Sequence, residues 1–378
     1  MAQQFNVKDA KKHESSHERK VKELEEELST TKYNKKTQGH IGLVKAKLAK
    51  LKEEYQRKAA AKGGGQGFSV KRSGDATVIM VGFPSVGKST LLNALTNANS
   101  PVGAYAFTTL TCIPGLLEYN YAKIQILDVP GVVEGAATGR GRGKEVLACA
   151  QSADLVIILL DVFNPEHSDV VRNEIYETGL RFDQKPPAVK ISKKPKGGID
   201  IGSTVKLTKL SEESIKNILK EFRLDNASIV IREDITDDQL IDVIEGNKRY
   251  VPSIVVLNKI DMVGQKELER VKNLVKPDIC ISAEQKINIE ELKELIFRKL
   301  DFIRVYCKES GKKADMLVPL IMRKGNTLRD VCFKLHKDFV SKFKFARIWG
   351  KSAKFPGMVL RKLENVVEDN DIVEIHLS

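Results

Sequence analysis

ATVIMVGFPSVGKSTLLNALTN, residues 76–97, is the stretch that decides the fold. Its first part, ATVIMVGF (76–83), is a short apolar run, the pattern of a strand buried on both faces. STLLNALTN (89–97) follows as a helix. Between them GFPSVGKS, Gly82 to Ser89, fits G-x-x-x-x-G-K-[ST]. The amides of such a loop, together with the helix N-terminus, can surround a phosphate. A strand before and a helix after are the context the motif needs, and they leave a plain glycine turn as the minor alternative. Pro84, Ser85, Val86, Gly87, Lys88, Ser89 and Thr90 are therefore candidate nucleotide contacts. Lys88 would reach the β- and γ-phosphates and act in catalysis, and Ser89 would ligate Mg²⁺.

Further strands follow with polar residues at their ends: KIQILDVP (123–130), LVIILLDV (155–162), SIVVLNKID (253–261) and DICISAE (278–284). Apolar strands alternating with helices indicate an α/β fold with a parallel, doubly wound sheet. Asp128 ends its strand where a second acidic contact to Mg²⁺ is expected, and the amide of Gly131 could meet a γ-phosphate. A lone DxxG is a common turn; its order after the phosphate loop gives it weight. In NKID the Asp261 carboxylate can accept two hydrogen bonds from N1–H and the 2-amino group of guanine. Adenine lacks both donors and would leave the carboxylate unpaired. Asn258 and Lys259 would brace the loops, and Ser282 and Ala283 would supply a backbone contact to the guanine oxygen. Four motifs in order, each at the C-terminal end of a strand, mark a guanine-nucleotide site for GTP and GDP.

The interval between LVIILLDV and SIVVLNKID is ninety residues, 163–252, far more than one crossover helix needs. A helix at about 166–178 uses part of it. The rest holds strand-like VKISK and SIVIRE, helix-like EESIKNILKEF and DDQLIDVIEG, and the turn KPKGGID. Residues of about 180–245 read as a small inserted α/β subdomain inside a domain of 67–302. Upstream, Val21, Leu24 and Leu28 share one helical face, and Val44, Leu48, Leu51 and Tyr55 share another. Residues 1–66 thus read as a basic helical hairpin that ends at the linker KGGGQG (62–67). The tail, 303–378, reads as a small sheet with one helix, TLRDVCFKLHKDFV, whose Thr327 and Asp330 suit a capping box.

The net charge of +13 sits at the two ends of the 378-residue chain. Residues 1–72 carry 18 basic and 9 acidic side chains, a net of +9; residues 303–378 carry 16 and 9, a net of +7. The middle is therefore −3. Basic ends suit a polyanion, most plausibly RNA, although charge alone does not separate this from a solubilising surface. No apolar run has the length of a membrane span, the start is polar, and five cysteines lie singly at 112, 149, 280, 307 and 332. These features predict a cytoplasmic protein with no membrane contact and no disulfide or zinc framework.

GFPSVGKSTLL, AYAFTTLTCIPG (104–115), DVPGVVEGAATGRGRG (128–143), LNKID and SKKPKGGID together resemble the Obg-related GTPases, and most closely the developmentally regulated GTP-binding protein (DRG) family. The resemblance runs along nearly the whole chain. It implies a P-loop GTPase domain with an α/β insert, preceded by a helical N-terminus. A TGS domain of β-grasp, ubiquitin-like fold closes the chain. It also implies that AFTTL is switch I, with Phe107, Thr108 and Thr109 near the nucleotide. Thr109, or Thr108 in its place, would cap Mg²⁺ and sense the γ-phosphate. The family further implies a role in translation on the ribosome, a dedicated stabilising protein, and a monomer or heterodimer. Potassium-stimulated relatives of the wider class often carry asparagine where this chain has Ser85; serine still offers an oxygen, so K⁺ activation stays open. Val132 stands where many GTPases place a water-orienting glutamine. The resemblance is to GTPases with a hydrophobic residue there, which hydrolyse GTP by other means. Arg140 and Arg142 could stabilise transition-state charge, or be solvated or RNA-binding loop residues; Glu134 has no assigned role.

Overall fold

The computed structural model describes residues 16–32, 34, 37–62, 74–96, 113–129 and 152–377. In chain order it begins with α1 (Ser16–Thr30), α2 (Gln38–Lys62), β1 (Ala76–Val81), α3 (Lys88–Leu95), β2 (Ile113–Tyr119) and β3 (Ala122–Asp128). Next come β4 (Leu155–Asp161), α4 (His167–Glu177), β5 (Leu180–Phe182), β6 (Val189–Lys193), β7 (Ile199–Ser203), α5 (Glu212–Glu221), β8 (Ala227–Ile231) and α6 (Asp237–Glu245). Then follow β9 (Arg249–Val251), β10 (Ser253–Asn258), α7 (Gln265–Val275), β11 (Ile279–Cys280) and α8 (Ile289–Lys299). The C-terminal part holds β12 (Phe302–Cys307), β13 (Leu320–Arg323), α9 (Leu328–Leu335), α10 (Lys337–Lys342), β14 (Phe343–Trp349), β15 (Met358–Leu360) and β16 (Asp371–Leu377). Two compact units result. Among the described residues, those up to 62 join 185–248, and those of 74–184 join 249–377.

In the second unit a six-stranded sheet has the order β11-β10-β4-β1-β3-β2. All its neighbours run parallel except β2, which pairs antiparallel with β3 at the edge. The sheet is therefore mixed rather than wholly parallel: Asn120 and Tyr121, both at positive φ, turn the chain straight back from β2 into β3. Alternate residues of each strand feed two cores. Val78 and Met80 of β1, with Leu155, Ile157 and Leu159 of β4, pack with Leu91, Leu95, Leu292 and Ile296. Ile79, Val81, Val156, Ile158 and Leu160 point the other way, toward Val171, Ile175, Leu268 and Val271. Burying each such side chain stabilises the fold by about 1.5–3 kcal/mol, which explains why strands between two helical layers carry so few polar residues. The short strands β5 and β9 pair parallel, Leu180 beside Arg249 and Phe182 beside Val251. The chain leaves and re-enters this unit through that pair, so the inserted part spans 185–248.

The C-terminal residues of the same unit form a five-stranded sheet, order β13-β12-β16-β14-β15, crossed by α9. Leu328 and Val331 of α9 bury against Ile303, Val305, Ala346, Ile348 and Val373. The stretch expected as one helix is two. His336 is extended: its backbone amide donates to the Cys332 carbonyl and closes α9, while its Nδ1 accepts the Asp338 amide at 3.2 Å and caps α10. Asp330 accepts the Thr327 amide at 2.7 Å, as its capping-box position requires. Two ion pairs fasten this part to the start of β1 and β4. Lys334 Nζ lies 2.7 Å from Asp75, and Arg323 lies 3.1 Å from Asp154.

In the first unit β8 lies between an antiparallel β6 and a parallel β7. β7 arises from IDIGS, directly behind the glycine turn. Ile215, Ile218 and Leu219 of α5 and Leu240 of α6 bury Ile229 and Ile231 of β8. Both helices are capped: Ser211 accepts the Ser214 amide, and Thr236 and Gln239 form a reciprocal box. α2 completes this core. Ala46 is fully buried in it, and a Cβ on Gly42 would stand 3.4 Å from Ile218 Cδ1. Lys50 donates to the Glu221 carbonyl at 2.7 Å, and Lys45 pairs with Asp238 at 2.7 Å. α2 is thus packed on the insert, and α1 packs on α2.

Candidate functional site

β1 lies between β3 and β4, so the chain crosses from one half of the sheet to the other at its C-terminal end. Open α/β sheets have their crevice at such a switch point. The loop Gly82–Gly87 leaves from there and α3 begins at Lys88. The turn needs its glycines. A Cβ on Gly82 would lie 2.4 Å from the Leu159 carbonyl oxygen. Gly87, at φ +98°, would place one 2.5 Å from Asn258 Nδ2. Gly87 is the N-cap of α3 and has no side chain to satisfy the first-turn amides, so they face the loop. Lys88 Nζ donates to the carbonyls of Gly82 and Phe83, both at 2.9 Å, and so lies across the loop interior.

Parallel register sets Asp128 beside Met80, two residues before the loop. Ser89 Oγ donates to Asp128 Oδ2 at 3.3 Å. The other oxygen, Oδ1, is buried and has no hydrogen-bond partner among the described residues. Burial pushes the Asp128 carboxyl up, against the opposing pull of the Lys88 charge and the Ser89 hydroxyl. A buried carboxylate oxygen without a donor, next to a serine hydroxyl, is what a hard, oxygen-seeking cation would satisfy. The donor set fits Mg²⁺, which would be held by Ser89 and Asp128. When bound, Mg²⁺ neutralises charge on the phosphates.

On the other side of β1 the same register aligns Asn258 with Asp161 at the ends of β10 and β4. Asn258, 2% exposed, uses both halves of its amide. Nδ2 donates to the Val86 carbonyl at 2.9 Å, and Oδ1 accepts the Ala283 amide at 3.0 Å. One side chain thus ties the phosphate loop to the loop after β11. Lys259, at φ +65°, donates to the Ser85 carbonyl at 2.7 Å and lies 3.5 Å from Asp161. Ser282 is fully buried; its hydroxyl accepts the Gln285 amide at 3.0 Å and shapes the turn that presents Ala283. Asp261 lies in a short 3₁₀ turn, Ile260–Met262, and is exposed, so its carboxylate is available to a ligand. Pro84 and Ser85 are exposed at the loop tip, Thr90 is exposed on α3, and Val86 is buried.

Lys88, Ser89, Asp128, Asn258, Lys259, Ser282 and Ala283 therefore converge at one end of the sheet. Phe107, Thr108, Thr109, Gly131, Val132, Glu134, Arg140 and Arg142 lie outside the described residues. Two features were not read from the sequence. Asp161 braces Lys259 and accepts the amides of Phe163 and Asn164 at 3.1 and 3.0 Å; an aspartate ending an apolar strand is its only sequence signal. The Phe83 ring stacks on His167 with centroids 3.8 Å apart, a contact between residues too distant in sequence to be foreseen.

The chain is similar to known proteins along nearly its whole length. Residues 77–194 match the family described as "50S ribosome-binding GTPase", 196–302 match the C-terminal region of that domain, and 303–377 match the TGS domain. An uncharacterized GTP-binding protein of Methanocaldococcus jannaschii is 54% identical over 362 residues, covering 95% of this chain and 92% of that protein. Developmentally-regulated G-protein 3 of Arabidopsis thaliana is 44% identical over 362 residues, covering 94% and 97%. Developmentally-regulated GTP-binding protein 1 of Xenopus laevis is 42% identical over 360 residues, covering 94% and 98%. With its phosphate loop, its base loop and its C-terminal TGS domain, the chain belongs to the family of GTP-binding GTPases that includes the developmentally-regulated GTP-binding proteins.

Proposed function

We propose that this chain is an Obg-related, DRG-type GTPase that hydrolyses GTP slowly to GDP and phosphate and serves as a nucleotide-controlled switch on RNA, ribosomal RNA foremost. The observation that carries the reading is Asn258: it holds the phosphate loop and the base loop in one piece, an arrangement a guanine nucleotide would span. Lys88 would leave the Gly82 and Phe83 carbonyls for the β- and γ-phosphates. Asp261 would take the guanine edge, Thr109 or Thr108 would complete the Mg²⁺ shell with Ser89 and Asp128, and the Gly131 amide would meet the γ-phosphate.

Phosphoryl transfer depends mainly on positioning and charge neutralisation, with little covalent chemistry for the protein to do. Val132 cannot orient the attacking water. A backbone carbonyl of switch I, a K⁺ near Ser85 or a partner's side chain takes that task. The intrinsic rate is then roughly 10⁻⁴ to 10⁻² s⁻¹, the range of small G proteins without their activator. The basic ends and the match to the 50S ribosome-binding GTPase family support RNA and the ribosome as partners. A dedicated stabilising protein and a cytoplasmic setting belong to the same reading. No helix among the described residues is long and apolar enough to cross a membrane.

Single-turnover hydrolysis by the full chain with Mg²⁺, first in Na⁺ and then in K⁺, with and without ribosomes, tests the enzyme. Turnover no greater than that of Lys88→Ala under every condition rejects it. Sedimentation with ribosomes in a GTP analogue and in GDP tests the switch. Equal affinity in both states would select the alternative, a scaffold in which GTP is structural.

A further inference from the structure

The sheet of the C-terminal TGS domain has one face that its own helix does not cover. Residues directly opposite in a ladder point to the same face. Ladder pairing puts Val305, Ala346, Ile348 and Val373 toward α9. It puts Tyr306, Phe345, Arg347, Trp349, Glu374 and His376 on the opposite face. At the β12–β13 end of that face Phe302 and Ile321 are buried in the core of the six-stranded sheet. At the β14–β16 end Arg347 is exposed, and the rings of Phe345, Trp349 and His376 are half-buried.

This open end keeps its rings and cations near the surface while its one carboxylate lies beneath. The Glu374 side chain is 2% exposed and is paired with Lys308 and with His376 Nε2, the latter at 2.6 Å. The aromatic side chains are held in place. Phe345 stacks on His376 with centroids 4.2 Å apart and planes 15° from parallel. Lys308 Nζ lies 4.6 Å from the centre of the Trp349 ring. Along β14 the order on this face is ring, guanidinium, ring: Phe345, Arg347, Trp349. Same-face positions on a strand recur about every 6.6 Å, so the two rings stand roughly 13 Å apart with a cation midway. Residues 303–378 carry 16 basic against 9 acidic side chains.

We propose that this face binds single-stranded RNA, with unpaired bases stacking at the Phe345–His376 pair and at Trp349 and the phosphates between them held by Arg347 and Lys308. The inference rests on the reading of the chain as an RNA-associated GTPase and gives that RNA a site. Stacking on aromatic side chains is how bases are held once they leave a duplex, and a basic surface follows the backbone. A duplex hides the base faces these rings would need. An acidic protein would meet the same cations, but its carboxylates would leave the Phe345–His376 stack unused.

Trp349 is the only tryptophan in the chain, so its emission reports on this face directly. The full chain with GDP is titrated with a fluorescein-labelled ten-nucleotide single-stranded RNA, read by anisotropy, and with the unlabelled strand, read by Trp349 emission. The duplex of the same sequence is the comparison. Quenching should follow the binding isotherm, and the duplex should bind at least tenfold more weakly. Phe345→Ala should weaken binding about 5- to 100-fold. Arg347→Glu should weaken it at least tenfold, and both variants should keep wild-type GDP affinity. Arg347 is exposed, so its variant decides even where Phe345→Ala disturbs the sheet. Binding seen by anisotropy, with Trp349 emission unchanged and Arg347→Glu at wild-type affinity, would place the RNA elsewhere; it would overturn this site and leave the RNA reading standing. Equal affinity and quenching for the duplex would overturn the stacking mode. No binding of either RNA would overturn both the site and the RNA reading.

Discussion

Asn258→Ala removes a side chain that bridges two loops, and its cost can be worked from two hydrogen bonds. The substitution strands the Val86 carbonyl, accepted at 2.9 Å, and the Ala283 amide, donated at 3.0 Å. Both residues are nearly enclosed, at 2% and 4% exposure, so water cannot easily replace the lost amide. A buried polar group left without its partner costs about 1–3 kcal/mol, and two such groups give about 2–6 kcal/mol. In a unit of this size that lowers Tm by about 4–24 °C. Asn258→Asp is the sharper variant. It keeps an acceptor for the Ala283 amide but sets a carboxylate oxygen against the Val86 carbonyl, so it should be at least as damaging as alanine. Differential scanning fluorimetry gives the stability, and displacement of a fluorescent GDP analogue gives the affinity, which should fall at least 30-fold. A Tm within 1 °C of wild type for Asn258→Asp, with unchanged GDP affinity, would falsify the claim that this amide joins the two loops.

Three other perturbations have defined outcomes. Asp154, its side chain 4% exposed, accepts the Thr77 amide at 2.9 Å and pairs with Arg249 and Arg323 at 3.2 and 3.1 Å. Asp154→Ala should cost about 3 kcal/mol, the low end for a broken buried pair because both arginines are partly solvated; Asp154→Asn, which keeps the Thr77 bond, should cost less in a urea titration. Lys308 and His376 hold the Glu374 carboxyl below the usual carboxylate range, and Arg304 does the same for Asp369. Their folded values lie below the unfolded ones, so the stability they add is present above the ordinary carboxylate pKa and is lost as pH falls through the folded values. The urea midpoint of the TGS domain should therefore drop below roughly pH 4.5, and Glu374→Gln should flatten that acid limb. Finally, Asp261→Asn should move base preference from guanine to xanthine nucleotides, measured by competition of XDP and GDP for the site; undiminished guanine preference would remove Asp261 from base recognition.

What could be read from the sequence followed from how local its cause is. GFPSVGKS and NKID were legible because phosphate and base contacts impose residue types at fixed spacing. LVIILLD was legible because a strand covered on both faces shows no polar alternation. β7 was not, since Ile199–Ser203 carries Asp200, Gly202 and Ser203 and follows a turn, so its strand character comes from pairing with Ala227–Ile231. The break at His336 was hidden because the residues on either side favour helix; it lies in the extended backbone of His336 and the bond of its ring to the Asp338 amide. Val44 shows an apolar face in the sequence and is buried, but the partner of that face is not legible. Its neighbour Ala46 buries against residues some 170 positions later, and no local pattern carries that information. The same holds for Asn258, whose type was evident but whose two-sided bridge depends on β10 lying beside β4.

The packing of α2 on the insert also sets an order of events during synthesis. Ile41, Val44 and Ala46 leave the ribosome early, while Ile218, Leu219 and Leu240, in the core that α2 completes, are made about 170 to 200 residues later. At roughly 5–20 residues per second the wait is on the order of 10–40 s. Throughout that interval α2 lacks the insert core on which it packs. The stripe it leaves uncovered is short and built partly from Gly39, Gly42 and Ala46, which gives a nascent chain little apolar surface by which to stick to the wrong partner.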